Sequence, residues 1–172
     1  VRQGEGLRPQ PDQDDHHQTM SLEDKFHQAI KIYKRSFDHV YGGSSGAPKF
    51  PEVSKLNFLF HAFVQTRDAE VLQIVLNTLD KIANGGIHDH VFGGFSRYSV
   101  DKKWHIPHFE KMLYDQAMLC AAYTEAWQVT HQPLYRRTAE EILTYVLRDM
   151  TSPGGAFYSA EDADSEGVEG KF

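Results

Sequence analysis

The sequence predicts an all-α fold built of stacked helical hairpins, and three observations predict it. Apolar residues recur at three- and four-residue steps in five separate stretches, the spacing that lines one face of a helix. Long glycine-rich loops follow the first, third and fifth stretches, whereas a few residues around Thr66 and Thr130 join the second and fourth to their successors. With antiparallel neighbours, that alternation brings every long loop out at one end, so one face carries the loops and builds a site. The glycine pairs mark the same unit loosely, with 43 residues from Gly43 to Gly86 and 69 from Gly86 to Gly155.

Residues 1–20 are rich in Gln, Asp, Pro and His and are expected to be disordered, with His16 and His17 solvated. Residues 21–172 are expected to form the folded part. Ser21 is placed to cap the first helix, and Asp24 favours its dipole. Leu22, Phe26, Ala29, Ile30, Tyr33, Phe37 and Val40 then form one stripe over about five turns. Pro51 is expected to start the second helix, with Leu56, Leu59, Phe60, Phe63 and Val64 inward. Leu72, Val75, Leu76, Leu79 and Ile82 mark the third, which Gly85 and Gly86 are expected to stop by adopting positive φ. Pro107 suits the first turn of a fourth helix running from His108 to about Val129. After Asp115 that helix is apolar or small nearly all round, which predicts an inner position surrounded by protein. The fifth covers about Pro133 to Met150, with Leu134, Ala139, Ile142, Leu143 and Val146 inward.

Composition bounds the function classes. A chain of 172 residues with 40% hydrophobic content can bury one core, and no apolar run approaches the length of a membrane span. A net charge of −6 offers no electrostatic footprint for nucleic acid. The single cysteine, Cys120, lies among Met118, Leu119 and Ala121 and reads as an inert buried thiol. The chain begins at Val1 and its first twenty residues hold no apolar signal core, so any targeting information is expected to lie outside this stretch, upstream of it.

The chemistry concentrates between Gly85 and Asp115, where four histidines, four glycines and several charges share one loop. On a helix starting at His108, the residues His108, Lys111 and Asp115 share a face, with Glu110 and Tyr114 beside them. Asp89 adjoins His90 and offers a carboxylate to orient an imidazole, while His105 and His108 flank Pro107. Two histidines facing a sugar carbon exchange a proton next to a carbonyl, and paired carboxylates cleave a glycosidic bond; both require the right arrangement in space. Arg97, Tyr98 and Trp104 suit a wall of rings and hydrogen-bond donors. The plain structural alternative is that Glu110 and Lys111 cap and pair, and that Asp115 holds a loop N–H. No metal and no cofactor is expected. His88-x-His90 and His105-x-x-His108 lack the i, i+4 spacing that places two ligands on one helical face. Asp162, Asp164, Glu166 and Gly167 imitate half of an EF-hand loop without an entering helix, and read as an acidic loop at a pocket rim.

Four ordered blocks carry a family resemblance: GAPKFPE at 46–52, GGIHDHVFGGFSRYS at 85–99, WHIPHFEKMLYDQA at 104–117 and GGAFYSAEDADSEG at 154–167. Together they resemble the spermatogenesis-associated thioredoxin-like proteins, in which a thioredoxin-like domain is joined to a six-hairpin, all-helical (α/α)6 toroid. The match lies in the toroid region alone, and the chain has no C-x-x-C, so no redox chemistry carries over. The resemblance implies an incomplete toroid of about two and a half hairpins, with alternating helices in an inner and an outer ring. It implies kinship in fold with six-hairpin glycosidases and N-acylglucosamine 2-epimerases, and partners in the remainder of the toroid and the thioredoxin-like domain. The function so implied is a carbohydrate-type pocket with isomerase, epimerase or hydrolase chemistry. His90 and His108 are its acid/base candidates, Asp89 and Asp115 their carboxylate partners, and Arg97, Tyr98, Trp104, Lys111 and Glu110 its substrate contacts. The rival class is a non-catalytic binding or scaffold role linked to a redox domain and to sperm development.

Overall fold

The computed structural model describes residues 20–171, so the expectation of disorder over residues 1–20, with His16 and His17, falls almost wholly outside the described residues. The helices are α1 (Leu22–Ser36), α2 (Val53–Thr66), α3 (Ala69–Ala83), α4 (Leu113–Thr130) and α5 (Pro133–Arg148). Two-residue strands stitch the loops: β1 (Tyr98–Ser99) pairs with β2 (Pro107–His108), and β3 (Lys111–Met112) with β4 (Ala160–Glu161). β5 (Asp164–Ser165) pairs with β6 (Val168–Glu169). No helix of the described residues is long and apolar enough to cross a membrane.

Ser21 caps α1 as its sequence position implies, its hydroxyl accepting from the Asp24 N–H at 3.0 Å. The hairpins repeat in their turns. Arg67 and His131 both adopt left-handed φ of 56° and return their N–H to the carbonyls of Phe63 and Trp127. Beside them Thr66 and Thr130 bond back to Ala62 and Ala126, and each hydroxyl also accepts the N–H two residues on. The same tight turn thus closes α2 onto α3 and α4 onto α5, and leaves the long loops at the opposite end.

α2 and α4 lie against each other, with α3 packed on α2 and α5 on α4. Leu56, Leu59, Phe60, Val75, Leu79, Ile82, Leu119, Tyr123, Tyr135 and Ile142 fill one core. Burying each such side chain contributes roughly 1.5 to 3 kcal/mol, which is what holds marginal helices of this length in place.

Several expectations change. α1 ends at Ser36, leaving Val40 in a turn and largely exposed. α2 starts two residues after Pro51, and Val64 and Leu143 face outward from α2 and α5. Gly85 and Gly86 do not carry positive φ. They are small because the chain passes too close: a Cβ on Gly85 would lie 2.8 Å from the Cβ of Trp104, and one on Gly86 2.0 Å from the carbonyl oxygen of His105. α4 buries Gln116, Leu119, Ala122, Tyr123 and Ala126 but exposes Ala117 and Ala121, so protein covers part of its surface and not all of it. The largest correction concerns residues 107–112, which are extended and not helical. Strand partners from residues 98–99 and 160–161 supply the hydrogen bonds that a helical first turn would otherwise seek.

Candidate functional site

Because residues 107–111 are extended, their side chains sort with a period of two and not of three or four. Pro107, Phe109 and Lys111 line one cavity of about 690 Å³, together with Asp89, His90, Tyr145 and Glu161. His108 and Glu110 turn to the other side and meet Tyr98 and Arg97. The face shared by His108, Lys111 and Asp115 therefore does not exist, and the candidates divide into two clusters.

The first cluster is closed. Lys111 is buried, and its Nζ donates to Asp89 Oδ2 at 2.8 Å and to the Gly93 carbonyl at 3.1 Å, lying 4.5 Å from the centre of the Tyr145 ring. The Tyr145 hydroxyl in turn donates to Glu161. Burial alone would raise the Asp89 carboxyl, but Lys111 and the N–H groups of Phe92 and Val91 outweigh it and hold the group below the ordinary value. Asp89 does not orient His90. The His90 ring instead meets the Gly85 carbonyl through Nε2 at 3.0 Å, which places the proton on that nitrogen.

The second cluster lies between the starts of the two inner helices, α2 and α4. Phe50, three residues before α2, packs on Tyr98 at 4.7 Å between ring centres, and Tyr98 stacks on His108 at 4.7 Å and 15°. His108 Nδ1 is 2.7 Å from Glu169 Oε1, so its carboxylate partner comes from the β5–β6 hairpin and not from Asp115. Arg97 pairs with Glu110 at 2.9 Å. Asp115, in the first turn of α4, is pushed up to about 6 by burial, with Glu110 adding to the shift and Arg97 opposing it. One of its oxygens, Oδ2, is buried without a hydrogen-bond partner. A carboxyl in that state keeps its proton up to about pH 6 and exchanges it more readily near neutrality than an ordinary aspartate.

Trp104 belongs to neither cluster. It is fully buried with a left-handed φ of 67°, and its Nε1 donates to the Tyr41 carbonyl at 2.7 Å. A Cβ on Gly43 would come within 2.9 Å of its ring. Trp104 is therefore a core pin between two loops and not the wall of a sugar pocket. Glu169, Glu161 and Phe50 were missed as site residues. The only sequence signal for the first two was the acidic run after Gly155, and Glu166-Gly167, both at positive φ, fold that run into a hairpin.

No protein-family profile matches the sequence, but individual relatives do. It is 52% identical over 133 residues to spermatogenesis-associated protein 20 of Mus musculus, a match covering 75% of this chain and 17% of that protein. The Homo sapiens protein of the same name is 49% identical over 139 residues, covering 78% of the chain and 18% of that protein. The chain belongs to this family, and spans less than a fifth of the length of these two relatives. Among solved structures, a sugar epimerase from a ruminal bacterium superposes with a TM-score of 0.71 at 17% identity, over 80% of this chain and 39% of that one. Cellobiose 2-epimerase from Bacillus thermoamylovorans superposes with a TM-score of 0.69 at 18% identity, over 80% and 40%. At such identity the likeness establishes the fold: the helices are part of an (α/α)6 toroid.

Proposed function

We propose that this member of the spermatogenesis-associated protein 20 family holds a carbohydrate-type ligand at the loop end of its toroid, between the starts of α2 and α4, and moves protons on it. The observation that carries the reading is Asp115: a half-buried carboxyl with one oxygen buried and unpartnered, pushed up to about 6 beside the Arg97–Glu110 pair. A group that gains and loses a proton near neutral pH is what isomerase or epimerase chemistry needs, where a proton leaves the carbon next to a carbonyl and returns to that carbon or its neighbour. His108, held by Glu169, is the second proton carrier. The Phe50–Tyr98–His108 stack offers flat apolar faces to a sugar ring, and Arg97 and Glu110 offer a donor and an acceptor for its hydroxyls. The sugar epimerases of similar fold support this substrate class by analogy. Asp89, His90 and Lys111 are assigned to holding the extended segment from its other side.

The experiment is proton exchange at carbon. Free hexoses and cellobiose are incubated with the protein in deuterated water, and loss of the C2 proton is followed by NMR. The reading expects exchange with at least one sugar, reduced about a hundredfold or more in Asp115→Asn, with an almost unchanged melting temperature, and in His108→Ala, with a fall of no more than a few degrees. The second reading is a binding or scaffold role tied to a redox domain and to sperm development; the fully engaged charges of the Asp89–Lys111 cluster favour it, since they leave nothing free to react. Sugar retained without exchange, or no sugar retained, decides for it.

A further inference from the structure

A second cavity, of about 620 Å³, opens between α3 and the start of α5 and shares no lining residue with the Asp115 cluster. Its α3 wall carries Asn77, Asp80 and Lys81, with Asn84 just past the end of that helix, and α5 contributes Tyr135. Tyr135 is fully buried, yet its hydroxyl has no hydrogen-bond partner. Asp80 Oδ1, also lining the cavity, is buried and unpartnered as well. Burial and the facing Asp80 carboxylate both raise the Tyr135 phenol, and neither group completes a well-formed hydrogen bond among the described residues, so a ligand hydroxyl entering the cavity can bridge the pair.

Such a bridge has a direction. The carboxylate oxygen only accepts, the phenol donates or accepts, and the amides of Asn77 and Asn84 do both, which is the complement of a run of hydroxyl groups. The rim has the opposite charge. Lys81 and Lys103 line it, and Lys102 and Lys103 each hold their Nζ 5.9 Å from the centre of the Tyr41 ring at its edge. A hydroxylated ligand would therefore place its hydroxyls inward and an anionic group outward among the ammonium groups.

We propose that this cavity binds a polyhydroxylated small molecule bearing one anionic group, of which a hexose phosphate is the simplest representative. The site is independent of the proton-transfer reading at the α2–α4 mouth. Titration calorimetry on the full chain tests it with glucose, mannose and fructose 6-phosphates, their parent sugars and inorganic phosphate. At least one hexose phosphate binds, and both its parent sugar and inorganic phosphate bind about tenfold more weakly or worse. Tyr135→Phe and Asp80→Asn each weaken that binding by up to about tenfold, the worth of one hydrogen bond. Tyr135→Phe changes the melting temperature little, because the hydroxyl it deletes makes no well-formed hydrogen bond. Lys81→Gln with Lys103→Gln brings the hexose phosphate down to the affinity of its parent sugar. The proposal is overturned if none of the three phosphates binds, if inorganic phosphate binds equally well, or if affinity survives both Tyr135→Phe and Asp80→Asn.

Discussion

The two charged clusters on either side of residues 107–111 are built from the same kinds of side chain and do opposite things. Around Lys111 each charge meets its complement: Asp89 and the Gly93 carbonyl take the ammonium, and Glu161 takes the Tyr145 hydroxyl. Around Asp115 the pairing is incomplete, with Arg97 given to Glu110 and one carboxylate oxygen left buried and unpartnered. A closed network fixes a loop, whereas an open one stores a reactive group. The difference teaches that the density of titratable residues in a loop says little about reactivity until their hydrogen bonds are accounted for.

The comparison breaks most sharply on Lys111→Ala. That change strands the partly buried Asp89 carboxylate and frees the loop at 89–93, and should cost about 3 kcal/mol in chemical denaturation. A loss under about 1 kcal/mol would mean the first cluster is a surface pair of little weight. Asp115→Asn should cost far less, since it deletes a charge that burial already disfavours, while removing the proton exchange assigned to the mouth.

Acid should separate the clusters by sign. The folded protein raises Asp115 above the ordinary carboxyl value of 3.8 to about 6, so it binds more protons than the unfolded chain between those values. Its contribution is greatest at low pH and is lost as the pH rises from about 4 to 6. Asp89 is held below 3.8, so its contribution is present above that value and is lost as the pH falls through its lowered folded value. The melting-temperature difference between the wild type and Asp115→Asn should therefore move against the wild type as the pH rises from about 4 to about 6, whereas the difference between the wild type and Asp89→Asn should shrink only as the pH falls below about 4.

The smallest effect concerns His108→Ala. It removes a half-buried ring from a stack with Tyr98 and should cost about 1 kcal/mol, enough to lower the melting temperature by a few degrees without loosening α4. Unfolding of the loop would instead place His108 with the structural cluster.

The hairpin frame was legible because each helix carries an apolar stripe at helical spacing, and because the turns at Thr66 and Thr130 are too short to admit anything else. The site was legible by address and not by geometry. Pro107 followed by His108, Lys111 and Asp115 imitates a helix start, and nothing local reveals that residues 98–99 and 160–161 will pair with this stretch and pull it straight. One wrong period moved Lys111 to the wrong side and hid Glu169. Trp104 misled for a related reason. The space that receives it is made by Gly43 and Gly85, whose smallness is visible in sequence but whose shared neighbour is not. The unpartnered oxygens of Asp115, Asp80 and Tyr135 leave no sequence trace, since an orphan is defined by what fails to come near it.

The central claim is that Asp115 keeps its proton up to about pH 6 while Asp89 loses its proton below the ordinary carboxyl value. Carbon-13 NMR of the aspartate carboxyls across a pH titration reads this directly. The account predicts one resonance, absent in Asp115→Asn, with a midpoint near 6, and a second, absent in Asp89→Asn, with a midpoint below 3.8. A midpoint for Asp115 at or below 3.8 would show that its charge is satisfied in solution, and the acid/base role given to it would be wrong.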